Sequence, residues 1–113
     1  MDTETIRDIC KGLPSVTEEI KWDNDLCFMV GEKMFCVVLL DSPIKVSFKV
    51  PDEEFAELSN SIGIIPAPYS ARYKWVLVED TTVLNRLKWE HYVYQSYNLV
   101  RNKLSKKKQA SLK

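Results

Sequence analysis

The chain has 113 residues, 45% hydrophobic and 28% charged, with 16 basic and 16 acidic side chains, values that fit one domain with a real core and exclude a disordered polar chain. A net charge of zero gives no general signal for nucleic acid. No apolar run approaches the ~20 residues that cross a bilayer, the acidic start Met1-Asp2-Thr3-Glu4 is unlike a secretory leader, and three cysteines at no metal-like spacing suit a reducing compartment, so a cytoplasmic protein is expected.

Residues 3–11 read as a short helix: Thr3 can cap it, and Ile6, Ile9 and Cys10 repeat at helical spacing. Gly12-Leu13-Pro14 ends it. Thr17–Trp22 is a weak strand, followed by a polar Asp23-Asn24-Asp25 turn. Leu26–Val30 and Lys33–Leu40 read as a hairpin around Gly31-Glu32, with glycine placed for a two-residue II′ turn. That register sets Cys27 opposite Cys36 at ~4.5 Å between Cα atoms, the short end of disulfide geometry; two buried thiols are the expected state. Met34–Leu40 is apolar at every position, which predicts a central strand covered on both faces.

Ile44–Val50 alternates cleanly, with Ile44, Val46, Phe48 and Val50 on one face and Lys45, Ser47 and Lys49 on the other. Pro51-Asp52-Glu53-Glu54 opens a second helix that buries Phe55 and Leu58. The stretch from Gly63 to Ala71, with Pro66 and Pro68, reads as a shaped loop, because proline lacks an amide donor and biases its predecessor to extended backbone. Arg72–Val78 is a further strand, with Tyr73, Trp75 and Leu77 inward and Arg72, Lys74 and Val76 outward. Asp80-Thr81-Thr82 caps a long helix over about residues 82–104, its inward stripe Leu84, Leu87, His91, Tyr94, Tyr97, Val100 and Leu104. The order is α-β-β-β-β-α-β-α: an α+β domain over residues 1–104 with one antiparallel sheet of four to five strands backed by helices, and a basic tail over 105–113.

No catalytic constellation is visible. His91 is the only histidine, on the inward stripe and without a ligand partner at i+4. The three glycines are isolated, so no phosphate loop exists, and the turn after Trp22 lacks the carboxylates a calcium loop needs. Neither enzyme activity, a metal nor a cofactor is expected. Two candidate surfaces remain. The first is a basic sheet face of Lys45, Lys49, Arg72 and Lys74, extended by Lys106, Lys107 and Lys108 of the tail. The second is an aromatic surface of Trp22, Pro66, Pro68 and Tyr69.

Leu13-Pro14-Ser15-Val16-Thr17-Glu18, Lys21-Trp22, Val30-Gly31-Glu32-Lys33-Met34-Phe35, Pro51-Asp52-Glu53-Glu54-Phe55, Gly63-Ile64-Ile65-Pro66-Ala67-Pro68-Tyr69, Tyr73-Lys74-Trp75-Val76 and Ser96-Tyr97-Asn98-Leu99-Val100-Arg101 follow one another in this order. Together they resemble the MmcQ/YjbR family of small bacterial proteins over roughly residues 5–104. The resemblance implies a frataxin-like α+β fold, compared in that family with a double-wing domain, and a DNA-binding activity. Frataxin-like iron handling does not carry over, because the first helix sets only Asp2, Glu4 and Asp8 beside Arg7 and Lys11. The leading expectation is a module contacting double-stranded DNA through its phosphates, with little sequence preference and a steep salt dependence. The alternative is an adaptor for a protein or small ligand, marked by a concave pocket beside Tyr69, Trp22 and the proline-rich loop. A monomer or weak homodimer with no membrane contact is expected in either case.

Overall fold

The computed structural model describes residues 1–112. The first helix, α1 (Thr3–Lys11), buries Ile6 and Cys10. Its cap is Asp2 rather than Thr3: the Asp2 carboxylate accepts from the Thr5 amide at 2.8 Å, one position earlier than the pattern suggested. Four strands follow as an antiparallel meander, β1 (Val16–Lys21), β2 (Asp25–Val30), β3 (Lys33–Leu39) and β4 (Lys45–Lys49). Then come α2 (Asp52–Ser59), β5 (Ile64–Pro66), β6 (Trp75–Val78), α3 (Arg86–Asn102) and α4 (Lys106–Ser111).

The domain is α+β with one sheet, as expected, but the sheet has six strands in the order β1-β2-β3-β4-β6-β5. The additional strand is β5, within the segment expected to be loop. It pairs with β6 at the rim of the sheet, where proline is tolerated because edge strands need not donate outward.

Two details of the β2–β3 hairpin differ from the sequence reading. Gly31 and Glu32 both have positive φ, 57° and 69°, so the turn is type I′ rather than II′. Beyond it, Val30 pairs with Lys33 and Met29 with Met34, but Phe28 then pairs with Cys36 and Cys27 with Val37. Phe35 is the extra residue of a β-bulge. The slip separates the two cysteines: Cys36 faces the helices, whereas Cys27 faces the other side of the sheet. Cys36 instead neighbours Cys10, and that thiol together with burial pushes the Cys10 thiol up, which keeps it protonated and a poor nucleophile.

Replacing Gly31 tests the turn. A Cβ there would meet Leu104 Cδ1 at 2.5 Å, and the left-handed backbone costs an L-residue about 1–2 kcal/mol. Gly31→Ala should lower the urea midpoint accordingly with an unchanged slope; an unaltered midpoint would mean the turn rebuilds without strain.

The helices lie on one face of the sheet. Phe48 of β4 meets Trp89 edge-on at 6.0 Å and stacks on Tyr92 at 5.4 Å, and Phe35 meets Tyr97 at 5.4 Å. The inward stripe of α3 is Trp89, Val93, Ser96 and Tyr97, which matches the predicted one only in part: Leu84 and Tyr97 are buried and Val100 packs on the core, but Leu87, His91 and Tyr94 are exposed. The reason is a break before the helix. Thr81–Val83 forms a separate 3-10 turn capped by Asp80, Leu84 is extended, and Asn85 caps α3 anew, so the phase set at Leu84 does not carry through. The segment expected as a basic tail is helical over Lys106–Ser111. Ser105 caps α4, Lys108 reaches Glu32 at 3.6 Å, and Leu112 packs against the core. No helix among the described residues is long and apolar enough to cross a membrane.

Candidate binding groove

Strand alternation sorts the two sheet faces. Val46 and Phe48 of β4 and Val76 and Val78 of β6 share register positions on the helical side. Lys45, Ser47 and Lys49 therefore point the other way, as predicted. Lys49 pairs with Trp75 and Ser47 with Leu77, so Trp75 and Leu77 accompany Lys49 instead of facing the core. This inverts the reading of that segment. Ala71–Tyr73 is a 3-10 turn, Lys74 is left-handed at φ 67°, and the strand begins only at Trp75.

The four-cation patch consequently does not assemble. Lys74 sits over the Phe55 ring at 5.1 Å, on α2. Arg72 lies over Tyr73 at 4.7 Å and donates to its hydroxyl at 2.6 Å. Lys45 pairs with Glu79 at 3.7 Å. Lys108 is engaged with Glu32, while Lys106 and Lys107 are exposed on α4.

The open sheet face holds a groove of about 1080 Å³. Met34, Val37 and Leu39 of β3, Ser47 of β4, and Trp75 and Leu77 of β6 are among its lining residues, and their register makes them its floor. Ser47 adds no free polar group, since its hydroxyl donates to the Val76 carbonyl at 2.8 Å. One wall comes from Ala67, Pro68, Tyr69, Ser70 and Tyr73; at the far corner stands Trp22. Val100, Lys103 and Leu104 close the end where α3 finishes. Three of the aromatic-surface candidates therefore line one concavity, Trp22, Pro68 and Tyr69, whereas Pro66 belongs to the β5 edge.

Charge is distributed lengthwise. Antiparallel pairing sets the start of β3 beside the end of β4, so Lys49 lies toward the same end of the lining as Lys103; Lys33 also lines the groove there, but it pairs with Val30 of the helical face and stands at the hairpin rim, not on the floor. Asp25, opposite Leu39, marks the other end. Lys49 donates to the Tyr73 carbonyl. Burial first, then the Lys103 ammonium, holds its amine below the usual lysine value. At the opposite end burial, then the Asp41 carboxylate, raises the Asp25 carboxyl. The rim is also conformationally strained: Trp22 and Tyr69 have φ of 51° and 66°, rare for bulky side chains and costly enough to persist mainly where the fold enforces them.

The sequence reading missed Lys33, Lys103 and the floor of β3. Its one available signal was the two-faced apolarity of Met34–Leu40. His91 lies outside the groove, exposed on α3 with its ring 5.0 Å from Tyr92. Among the described residues no His, Cys, Asp or Glu group has the arrangement of a metal site.

Comparison with known proteins agrees with this architecture. The YjbR family model matches residues 11–99. A crystal structure of the Deinococcus radiodurans protein DR2400, described as a DUF419 domain, superposes with a TM-score of 0.81 at 27% identity, covering 93% of this chain and 83% of that one. A Pseudomonas syringae protein shares the fold with a TM-score of 0.74 at 16% identity, covering 88% and 98% respectively. No curated protein matches the chain. With the model spanning most of its length, the chain belongs to the YjbR family.

Proposed function

We propose that this chain is a non-catalytic binding module whose open sheet face holds an apolar ligand. One observation carries the reading. β3 is apolar on both faces, yet helices cover only one of them; Met34, Val37 and Leu39 face a groove. A sheet face left to water ordinarily alternates to polar residues, and a concave apolar site with few polar groups is the usual form of a small-molecule pocket. The strained aromatics at its rim support the same reading. The backbone-contact expectation for duplex DNA draws on fewer groups, because only Lys45 and Lys49 of its sheet quartet share a face and Lys45 is ion-paired.

A neutral apolar fluorophore such as N-phenyl-1-naphthylamine tests this. It should bind saturably at one site, and Leu39→Glu, on the half-exposed floor, should weaken it at least tenfold while circular dichroism stays unchanged. Absence of saturable binding, together with a duplex-DNA anisotropy shift that falls steeply with salt and disappears in a Lys45→Glu/Lys49→Glu variant, would replace this reading with the phosphate-contact one.

A further inference from the structure

We propose that the groove's ligand is an anionic amphiphile, its carboxylate, sulfate or phosphate head held between Lys49 and Lys103, with Lys33 at the rim beyond them, and its apolar body lying along β3 toward Leu39. This deepens the groove reading and rests on it. Three observations on the groove point to the head group and its direction.

First, the cations at this end form no close ion pair. Elsewhere Arg7 and Lys11 pair with Glu18, Lys45 with Glu79, Arg86 with Glu90 and Lys108 with Glu32, while among the described residues none of Lys33, Lys49 and Lys103 has an ion pair. Like charges gathered beside an apolar floor repel one another, and an anion placed between them relieves that repulsion. At the Lys49 ammonium the Asp52 carboxylate offsets burial and the Lys103 and Lys74 ammoniums only in part, because the amine still lies below the usual lysine value.

Second, the two ends differ in charge balance. At the Leu39 end Asp25 has Lys21 opposite it, and Lys45, opposite Leu39, is paired with Glu79, so the charges there offset one another, the unpaired cations lie at the other end, and an anionic head has one favoured direction. The charged end recognises the head, and the floor beyond it is poor in polar groups: the Ser47 hydroxyl is occupied, which leaves the Trp75 indole N–H as its side-chain donor. From Met34 to Leu39 the strand runs five residue steps, roughly 17 Å at ~3.3 Å each, a length suited to an extended chain rather than a compact ring.

Third, the walls are apolar or aromatic where such a chain would lie. Trp75 and Leu77 flank it on β6, and Tyr69, fully exposed on the proline-rich loop, belongs to the rim. A duplex backbone would place a charge at each phosphate and has no use for this dry floor.

The test titrates the full chain with dodecanoate, dodecan-1-ol and dodecyltrimethylammonium, each below its micelle concentration, by calorimetry and by amide chemical-shift mapping. Dodecanoate should bind at least tenfold tighter than the alcohol, the cationic probe weakest, with shifts confined to the open face of β3, β4 and β6. Lys49→Gln/Lys103→Gln should bring carboxylate and alcohol to equal affinity without lowering that of the alcohol, and circular dichroism should show the variant folded. Equal binding of carboxylate and alcohol by the native chain would overturn the head-group assignment and leave the apolar groove standing. Failure of all three probes would remove both. Shifts on the helical face would likewise overturn the assignment.

Discussion

Replacing Trp89 by alanine should be the most damaging single change in this domain, costing about 3–5 kcal/mol. The side chain is fully buried and packs edge-on against Phe48. Its indole N–H donates to the Thr81 carbonyl at 3.2 Å, so truncation opens a cavity under β4 and also strips the 3-10 turn before α3 of a tether. Domains of this size are stable by only about 5–15 kcal/mol, so the melting temperature should fall by on the order of 15 °C or more. Trp89→Phe keeps most of the packing and loses the tether, and it should recover more than half of the loss. Trp75→Ala supplies the contrast: that ring lies in the groove, so its loss should weaken the apolar probe while stability changes by less than about 1 kcal/mol. Equal melting temperatures for the two alanine variants would contradict the assignment of faces.

Ser96→Ala should cost nearly as much for a different reason. The hydroxyl is buried, donates to the Phe35 carbonyl at 2.6 Å and accepts from the Lys49 amide at 2.9 Å. One oxygen thus joins α3 to the bulge of β3 and to the end of β4. Without it a carbonyl and an amide are left unpaired in a dry interior, each worth about 1–3 kcal/mol, and about 2–4 kcal/mol is expected after local relaxation. Hydrogen exchange reads the effect at its source: the Lys49 amide should lose protection well beyond the global destabilisation. A Lys49 amide still protected to the global limit would show that another acceptor takes over.

Much of this architecture was legible in the sequence. Alternation along Ile44–Val50 places Lys45 and Lys49 on the face where they are found, and the Pro51-Asp52 start fixes α2. What could not be read shares one physical origin: segments apolar on both sides. A one-residue slip inside Met34–Leu40 leaves the hydrophobic pattern intact, so nothing local reveals the Phe35 bulge. Arg72–Val78 offers two apolar sets, Tyr73-Trp75-Leu77 and Val76-Val78, and alternation alone does not say which meets helices and which meets the groove. The larger aromatics read as core, and in the fold they line the cavity instead. In α3, Leu87 and Tyr94 compete with Trp89 and Val93 for the inward stripe, and only the Asn85 cap, which resets the helix phase, decides between them. The groove's cationic end was invisible for a simpler reason: Lys49 and Lys103 are fifty-four positions apart and come near one another only because α3 ends beside the end of β4.

The proline in β5 has a consequence for how copies of this molecule meet. Gly63 and Ala67 bond inward to Glu79 and Trp75, so by strand alternation the amides of positions 64 and 66 point away from the sheet. Position 66 is proline and has none to give, and the Ile64 amide is already taken by the Ser61 carbonyl at 3.1 Å. An incoming chain seeking to template itself on this rim therefore finds the outward carbonyls of positions 64 and 66 but no donor between them. End-to-end polymerisation needs two receptive rims on every unit, and the β5 side offers only half of a ladder.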